Sequence, residues 1–403
     1  MKTEFGHLTY CTNIHPGESW VDHFQELRIH LPLIKKEISP NQPMGIGLRL
    51  SNEASLSLIE ENQLLEFQNW LEQESFYVIG INGFPYGGFH TDVVKEAVYQ
   101  PDWSDQNRIE YTQRLFFILK ELLPANEEGG VSTVPLSYLY FDTNVNDRNV
   151  RKSKSTEQII QTLLTLIRIQ KATGKTLHLD IEPEPDGMLG CFLDWVIWYT
   201  SDLLPAAFPV LMDEFGFDSQ FAEEQTKNHI RLCLDVCHLA VTYEVNPFLF
   251  SELKRLGIKV GRIQVSSALK VKFQENVGEL LHSLKPFDEK KYLHQVVAIT
   301  KDGEKRSYRD LNLALDAGAN RLDEWRIHFH VPIFLETYGT FLSTQEELKL
   351  VLTEHKKDHL SHILEVETYT WNVLPKNSQL PIDKSIIREL QWLRSFLESN
   401  SQI

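Results

Sequence analysis

The chain has 403 residues, 42% hydrophobic and 24% charged, which is the composition of a globular protein with room for a large core. Its formal net charge of -16 argues against a broad basic surface, so we expect no nucleic-acid partner. Four cysteines without a CxxC pair, and an N-terminus without an apolar signal segment, predict a reduced, cytoplasmic protein.

Short apolar runs alternate along the chain with longer amphipathic segments, and this alternation predicts the fold. Each run is apolar at most positions, as expected for a strand buried on both faces. The predicted strands cover residues 8–14, 45–51, 76–82, 131–137, 176–182, 230–236, 261–267 and 362–368.

Helical patterns separate these strands. One starts at Ser19 after the first strand, and another starts before the fifth strand, where Ser155 and Gln158 form a capping-box pattern. A third starts at Ser343 or Thr344, before the eighth strand. The segment "IDKSIIRELQWLRSFLES" predicts a helix near the end of the chain.

Eight strands that alternate with helices predict an α/β fold of parallel units, closed as a (β/α)8 TIM barrel. The alternative is an open doubly wound sheet, but no GxGxxG follows the first strand. We expect one barrel domain over residues 1–403, with long βα-loop insertions near 83–108, 183–227 and 268–330. The third insertion is charged and loop-rich, and it turns apolar in "WRIHFHVPIFLET". The apolar window 191–212 predicts a buried helix pair or a cover over the core rather than a membrane span, since two aspartates and two prolines interrupt it.

The run "LCLDVCH" at residues 232–238 ends a predicted strand with a carboxylate, Asp235, and an imidazole, His238. Residues three apart point to opposite faces of a strand, so the two share a ligand only if the strand ends between them. The turn after Asp235 or Val236 allows this. Alternatively, Asp235 caps the next helix and His238 fills a polar niche.

Other strand ends carry carboxylates. Glu182 ends the fifth strand, with Glu184 in the following loop, and prolines stop that strand. Glu365 and Glu367 lie on one face of the last strand, and Glu367 lies nearest its end. Glu365 is alternatively an interior polar residue.

His328 and His330 are two residues apart, so an extended chain points both the same way, either as metal ligands or on a solvated face. Clustered carboxylates repel unless protons or a cation neutralise them. A divalent metal fits the mixed donors, and Zn²⁺, Mn²⁺ or Co²⁺ suit them. The donors predicted at the C-terminal rim are Glu182, Asp235, His238, His330 and Glu367.

His15 follows the first strand, and we expect it to line the pocket, although the adjoining residues could simply start a helix. Aromatic residues in the insertions could form an apolar wall, although each could equally belong to the core. These are Phe84, Tyr86, Trp103 and Trp371.

These motifs resemble the xylose isomerase-like TIM-barrel superfamily, in which a Glu, a D-x-x-H, a His and a Glu end the fifth to eighth strands. Here these positions read Glu182, then Asp235 with His238, then Gln264, then Glu367. The opening "HLTYCTNIHPGESW" is similar more specifically to EboE-like metabolite traffic proteins. That resemblance implies a role in moving a small metabolite and is compatible with a membrane-protein partner.

Gln264 departs from the superfamily pattern, because an amide oxygen is a poorer metal ligand than the expected imidazole. His330 or His328 would then supply the nitrogen. An endonuclease IV-like three-metal site would need further histidines on the second and third strands, and the strand ends there have none.

The resemblance implies a metal-dependent isomerase or epimerase of a small polyhydroxylated or carbonyl-bearing metabolite, with the oligomeric state open. Glu182 and Glu367 transfer protons. A non-catalytic metabolite-binding or handover protein and an endonuclease IV-like phosphoesterase are the alternatives. The implied metal ligands are Glu182, Asp235, His330 and Glu367, and the implied substrate contacts are His15, His238, Gln264 and His328.

Overall fold

The computed structural model describes residues 1–60, 62–91, 93–273, 276–372 and 381–399. Asp92, Gln274 and Glu275, which fall within the predicted insertions, lie outside the described residues.

Eight parallel strands form a barrel in the order β2-β15-β8-β7-β6-β5-β4-β3, and a short strand β1 extends the sheet antiparallel to β2. The predicted barrel is confirmed, since each of the eight predicted runs overlaps one of these strands. The strands are β1 Lys2–Thr3, β2 Gly6–Tyr10, β3 Met44–Arg49, β4 Phe76–Asn82, β5 Gly129–Thr133, β6 Leu177–Ile181, β7 Ile230–Asp235, β8 Val260–Val265 and β15 Ile363–Val366.

The barrel closes between β2 and β3, where side-chain bonds replace a continuous ladder. Thr9 Oγ1 donates to the carbonyl of Gly45 at 2.9 Å and accepts from the amide of Gly47 at 3.0 Å. A single bridge joins Cys11 to Gly47 beyond the end of β2. The first strand is therefore shorter than predicted: it ends at Tyr10, and residues 12–14 form a 3₁₀ turn.

Helices cover the outside of the barrel. The capping box predicted at Ser155 is wrong, because α5 begins ten residues earlier, where the Asn144 side chain accepts from the amide of Asp147. The helices are α1 Trp20–Ile38, α2 Asn52–Leu58, α3 Gln63–Glu74, α4 Gln106–Leu122, α5 Val145–Thr173, α6 Phe192–Trp198, α7 Leu204–Phe215, α8 Ser219–His229, α9 Val236–Val241, α10 Pro247–Leu256, α11 Val277–Leu284, α12 Leu311–Ala317, α13 Gln345–Asp358 and α14 Ile382–Glu398.

The apolar window in the second insertion is one continuous helix and not the predicted pair. A π turn over Tyr199–Leu203 joins α6 to α7 without a break, and it contains one of the two aspartates that interrupt the apolar window. Within the described part of the chain, no helix has the length and apolar character needed to cross a bilayer.

The third insertion is not the predicted loop-rich segment: its four strands join two more, which lie beyond residue 330, in a six-stranded antiparallel sheet, so the insertion extends to about residue 343. Its order is β11-β10-β12-β9-β14-β13, and β9 pairs with β12 along nearly its whole length. The long strand β12 carries two histidines at its C-terminal end. The strands are β9 Ala268–Lys272, β10 Val296–Thr300, β11 Lys305–Tyr308, β12 Leu322–His330, β13 Thr337–Tyr338 and β14 Phe341–Ser343.

A layer of buried charge, which we call the barrel floor, crosses the inside of the barrel. It consists of Asp180 on β6, Arg262 on β8 and Glu365 on β15, all with 0% exposure. Arg262 donates to Asp180 at 3.2 Å and to Glu365 at 3.0 Å. Glycines make room for it: a Cβ at Gly47 or Gly261 would lie 1.8 Å from a floor carboxylate oxygen.

Candidate functional site

Three carboxylates converge above the barrel floor, at the C-terminal ends of β6, β7 and β15. Glu182 and Glu367 each follow the last residue of a strand, and their amides continue the sheet by donating to Thr133 and Val265. Asp235 is the last residue of β7. Their ligand oxygens lie within 4.8 Å of one another, and all three side chains are buried.

Burial and mutual repulsion raise the proton affinity of this group. Removal from water raises the pKa of Glu182 well above its usual value, and the charges of Glu367 and Asp235 raise it further. Burial, then Asp235 and Glu365, likewise raise the pKa of Glu367. The protonated forms of Glu182 and Glu367 are therefore favoured unless a cation lies beside them.

Gln264 lies among these carboxylates, and its amide is already engaged. Its Nε2 donates to Glu367 Oε2, and its Oε1 accepts from the Cys233 thiol at 3.0 Å. The amide oxygen therefore turns toward Cys233 instead of serving as a metal ligand. Glu367 Oε1 accepts from Asn13 Nδ2 at 2.7 Å and from Asn82 Nδ2 at 3.3 Å.

Asp235 caps the next helix, which is one of the two roles that the sequence left open, and its second oxygen is unbonded. Its Oδ1 caps α9 by accepting from the amide of His238 at 3.0 Å, and it also accepts from Ser266 Oγ at 2.8 Å. Its Oδ2 is buried and makes no hydrogen bond. The carboxylate is thus held rigidly, with one oxygen free to bind a ligand.

Three histidines face the carboxylates, and each has one ring nitrogen fixed by a carbonyl. The Nδ1 atom of His238 lies 3.2 Å from the carbonyl of Pro183, and that of His330 lies 2.7 Å from the carbonyl of Glu367. His328 Nδ1 lies 2.7 Å from Gln295 Oε1. Since a carbonyl only accepts, each Nδ1 carries the hydrogen, and each Nε2 presents a lone pair.

These lone pairs meet inside the site. The Nε2 atoms of His238 and His328 are 2.9 Å apart, and the buried Nε2 of His330 has no hydrogen-bond partner. Burial lowers the pKa of His238 to about 4 and, together with the neighbouring rings, that of His328 well below its usual value. Two neutral nitrogens repel at this distance unless a cation or a proton lies between them, so the residues fit a divalent metal.

A pocket of about 550 Å³, including solvent at its mouth, opens beside these groups. One side is polar and includes Glu182, Glu184, the three histidines and Glu367. The other side is apolar and comes from two insertions and the segment after β15. Its residues are Phe84, Pro85, Phe89, Val94, Val98, Tyr292, Leu293 and Tyr369.

The predicted aromatic wall is correct only at Phe84. Tyr86 packs edge-on against Tyr111, and Trp103 is fully buried with its indole N–H bonded to Thr133 Oγ1 at 2.9 Å. Trp371 is buried outside the pocket lining. The residues that do form the wall follow strands at distant places in the sequence.

His15 does not line the pocket, which corrects the prediction. Its side chain is fully buried, accepts or donates a 2.8 Å hydrogen bond with Tyr10, and stacks on His30 of α1. Asn13, two residues earlier, enters the site in its place. The 3₁₀ turn over residues 12–14 causes this, because it breaks the two-residue alternation of the strand.

Several residues of the site were not identified from the sequence. Gln295 orients His328 and is itself held by the carbonyl of Pro185 at 2.9 Å. Asn82 ends β4, and Ser266 follows β8. Their positions directly at or after strand ends are the feature that could have identified Asn82 and Ser266.

No protein-family model and no curated protein matches this chain. Similar solved structures include the IOLI protein with a binding zinc atom, at 12% identity, TM-score 0.47 and 97% coverage of both chains. Another is the apo form of 3-keto-D-glucoside 4-epimerase, YcjR, from E. coli, at 10% identity and TM-score 0.45, covering 97% of this chain and 99% of that one. A third is a xylose isomerase-like TIM barrel protein from Mycobacterium smegmatis in complex with magnesium, at 9% identity and TM-score 0.47, covering 98% and 97%.

Proposed function

We propose that this barrel is a metal-dependent isomerase or epimerase of a small polyhydroxylated or carbonyl-bearing molecule. The proposal rests on lone pairs that lie close together. The Nε2 atoms of His238 and His328 are 2.9 Å apart, and His238, His330 and Asp235 each have a ligand atom within 4.8 Å of the other two. Asp235 Oδ2 and His330 Nε2 make no hydrogen bond. When bound, a divalent ion supplies Lewis-acid polarisation of substrate oxygens. Asp235, His238 and His330 would hold it, since their ligand atoms already lie within 4.8 Å of one another.

The two glutamates are suited to opposite proton-transfer roles. Burial raises the pKa of Glu367 as well, but the hydrogen bonds that it accepts from the amides of Asn13 and Gln264 favour its ionised form and partly offset that rise, so Glu367 is the better candidate for the base. Glu182 accepts a weak hydrogen bond from the Cys233 thiol at 3.6 Å and lies 3.3 Å from His238 Nδ1, and burial raises its pKa well above the usual value, which suits it to the role of acid. A pair of carboxylates in unlike surroundings is what a two-residue proton transfer needs.

The decisive experiment measures metal content and hydrogen exchange on the untagged full chain. We expect about one divalent ion per chain to be lost in His330→Gln, and deuterium from D2O to enter small keto sugars next to the carbonyl. Glu367→Gln should abolish this exchange because it removes the base, and Glu182→Gln should slow interconversion.

The exposed Glu53→Gln variant is the matched control and should behave as the wild type, because Glu53 lies on the outer helix α2. If the wild type binds no ion after incubation with Zn²⁺ or Mn²⁺, the isomerase proposal is wrong. Exchange that survives both Glu182→Gln and Glu367→Gln would remove the proton-transfer roles.

A phosphoesterase of the endonuclease IV type is the second candidate. Asp235 belongs to two groups of ligand atoms, one with Glu182 and Glu367 and one with His238 and His330, which favours two neighbouring ions. This candidate predicts that His330→Gln removes more than one ion and that the wild type hydrolyses an aryl phosphate.

Metabolite binding without catalysis, as in the EboE-like handover role, is supported by Gln264. Gln264 stands at the strand end where a metal-binding histidine was expected, and its amide is already hydrogen-bonded to Glu367 and Cys233. This candidate predicts that chelator-treated protein still binds a metabolite, and that a membrane-protein partner receives it.

A further inference from the structure

The apolar side of the pocket contains three aromatic rings that pack on one another, and we call them the aromatic corner. Phe89 lies in the first insertion, Tyr292 lies in the third, and Tyr369 follows β15. The ring centroid of Phe89 is 5.3 Å from that of Tyr292 and 5.5 Å from that of Tyr369, and the two tyrosine centroids are 5.1 Å apart. Three segments that are distant in the sequence therefore build one surface of the pocket.

The aromatic corner does not belong to the core of the barrel. Phe89 and Tyr292 form, together with Val94, a buried apolar cluster that is separate from that core. Val98 and Tyr369 pack against this cluster and are only partly buried. All five residues line the pocket, so they present an apolar surface to a molecule that enters it.

Contacts between the two insertions hold this surface in place. The amides of Val94 and Lys95 both donate to the carbonyl of Lys291, at 2.7 and 3.0 Å. Lys95 Nζ adds an ion pair with Asp310 Oδ2 at 2.6 Å. The surface is therefore formed before a ligand binds, which reduces the entropy that binding costs.

The apolar surface is continuous with the polar side of the pocket. The ring centroid of Tyr369 lies 4.6 Å from that of His330, and both residues line the pocket. A molecule whose oxygens face His330 therefore has its next group beside the aromatic corner. A group rich in hydroxyls would lose water there and gain few hydrogen bonds, whereas an aromatic ring would be buried favourably.

The charges around the pocket disfavour an anionic substrate. Among the described residues that line it, Lys95 carries the only ammonium or guanidinium group, and Asp310 already pairs with that charge. The same lining includes three carboxylates, those of Glu182, Glu184 and Glu367. A phosphate group that points away from the proposed ion would therefore be repelled without gaining a free cation.

We propose that the substrate is an uncharged molecule in which the hydroxyl- or carbonyl-bearing part is attached to an aromatic ring. The ring packs against Phe89, Tyr292 and Tyr369, and the oxygens face the histidines and carboxylates. This inference rests on the proposed isomerase function and adds the substrate class, which is neither a free sugar nor a sugar phosphate.

The test compares three ketones on the metal-loaded, untagged full chain. They are hydroxyacetone, its derivative with a phenylethyl group in place of the methyl group, and dihydroxyacetone phosphate. Calorimetry measures their affinities, and deuterium uptake from D2O at the hydroxymethyl carbon measures their turnover. We expect the phenylethyl derivative to bind at least about tenfold more tightly than hydroxyacetone, because its ring is buried, and dihydroxyacetone phosphate to bind no more tightly.

A substituted wall should remove this preference. Val98→Asn places an amide in the apolar surface, so the ratio of the two affinities should fall at least about fivefold. Val93→Asn is the matched control and should keep the wild-type ratio, because Val93 lies in the same insertion, is 59% exposed and is outside the described pocket lining. If Val98→Asn fails to fold, as judged by circular dichroism, Leu293→Asn in the third insertion decides.

Equal wild-type affinities for hydroxyacetone and its phenylethyl derivative would overturn the inference, as would tightest binding of dihydroxyacetone phosphate. A wild-type ratio in both Val98→Asn and Leu293→Asn would also overturn it. Exchange of hydroxyacetone without any preference for the ring contradicts this inference alone. A preference for the ring in calorimetry, without metal uptake or exchange, contradicts the isomerase proposal alone.

Discussion

Two layers of polar side chains, two residues apart along the same three strands, differ in how their charge is neutralised. In the barrel floor, a guanidinium lies between two carboxylates and also donates to the carbonyls of Gly130 and Ile81. In the layer above, an amide occupies the position of the guanidinium, and two carboxylates have no cation between them. The floor residues are Asp180, Arg262 and Glu365, and the upper residues are Glu182, Gln264 and Glu367.

The difference separates a layer that neutralises its own charge from the layer of the proposed site. Arg262 lowers the pKa of Glu365 against the strong upward effect of burial, so the floor carries its own counterion. The upper layer must take its counterion from solution, as protons or as a metal. Buried carboxylates without an internal cation are therefore the better indication of function in this barrel.

The largest effect should come from removing the cation of the floor. Arg262→Met leaves Asp180 and Glu365 buried without a counterion, and we expect a loss of about 3–5 kcal/mol in the free energy of unfolding. The matched change one layer up, Gln264→Leu, should cost only about 1–2 kcal/mol, since it removes hydrogen bonds and no charge. Urea denaturation of the two metal-free variants measures both losses in unfolding free energy. Equal losses would show that the floor does not depend on its internal cation more than the upper layer depends on its amide.

A smaller, pH-dependent effect should come from Glu184, at the edge of the upper layer. Burial raises its pKa from 4.5 to about 8. Because the folded-state pKa is raised, the protonated group favours folding below about pH 4.5, and this contribution is lost as the pH rises through 8. Relative to the wild type, metal-free Glu184→Gln should gain about 3–4 kcal/mol between pH 5 and pH 9.

The comparison for this experiment is Glu53→Gln, which removes an exposed carboxylate and should leave the pH profile of unfolding unchanged. A constant difference between Glu184→Gln and the wild type across this pH range would show that Glu184 is not protonated in the folded, metal-free protein.

The smallest effect should come from Ser266, which holds Asp235 through a 2.8 Å hydrogen bond. Ser266→Ala should weaken metal binding at the mouth by about tenfold, because the carboxylate loses its orienting donor. Calorimetric titration with Zn²⁺ measures this. Ser267→Ala, also buried but directed at Thr344, is the control and should keep the wild-type affinity.

The sequence predicted the eight barrel strands because each is a run of apolar residues buried on both sides. It did not predict the second sheet, in which the edge strand β11 is almost wholly exposed and β12 has charged, partly exposed residues in its first half. One local signal was present: Asp302-Gly303 between β10 and β11 is a typical hairpin turn.

For the site, strand ends placed Glu182, Asp235 and Glu367 at one rim, and the structure brings them together. The same logic failed at His15, where a turn of three residues reverses the direction of the side chain. Gln295 could not be predicted, because its role depends on a strand pairing between distant segments.

The site is assembled from distant parts of the chain, and this has a consequence for biosynthesis. His238 meets His328 across 90 residues, and His330 is oriented by the carbonyl of Glu367, 37 residues farther on. During synthesis, the early donors emerge long before their partners and offer a metal only weak, separate contacts. An ion at the proposed mouth site would therefore be acquired only after the last barrel strand has left the ribosome, and metal loading would report that the barrel has closed.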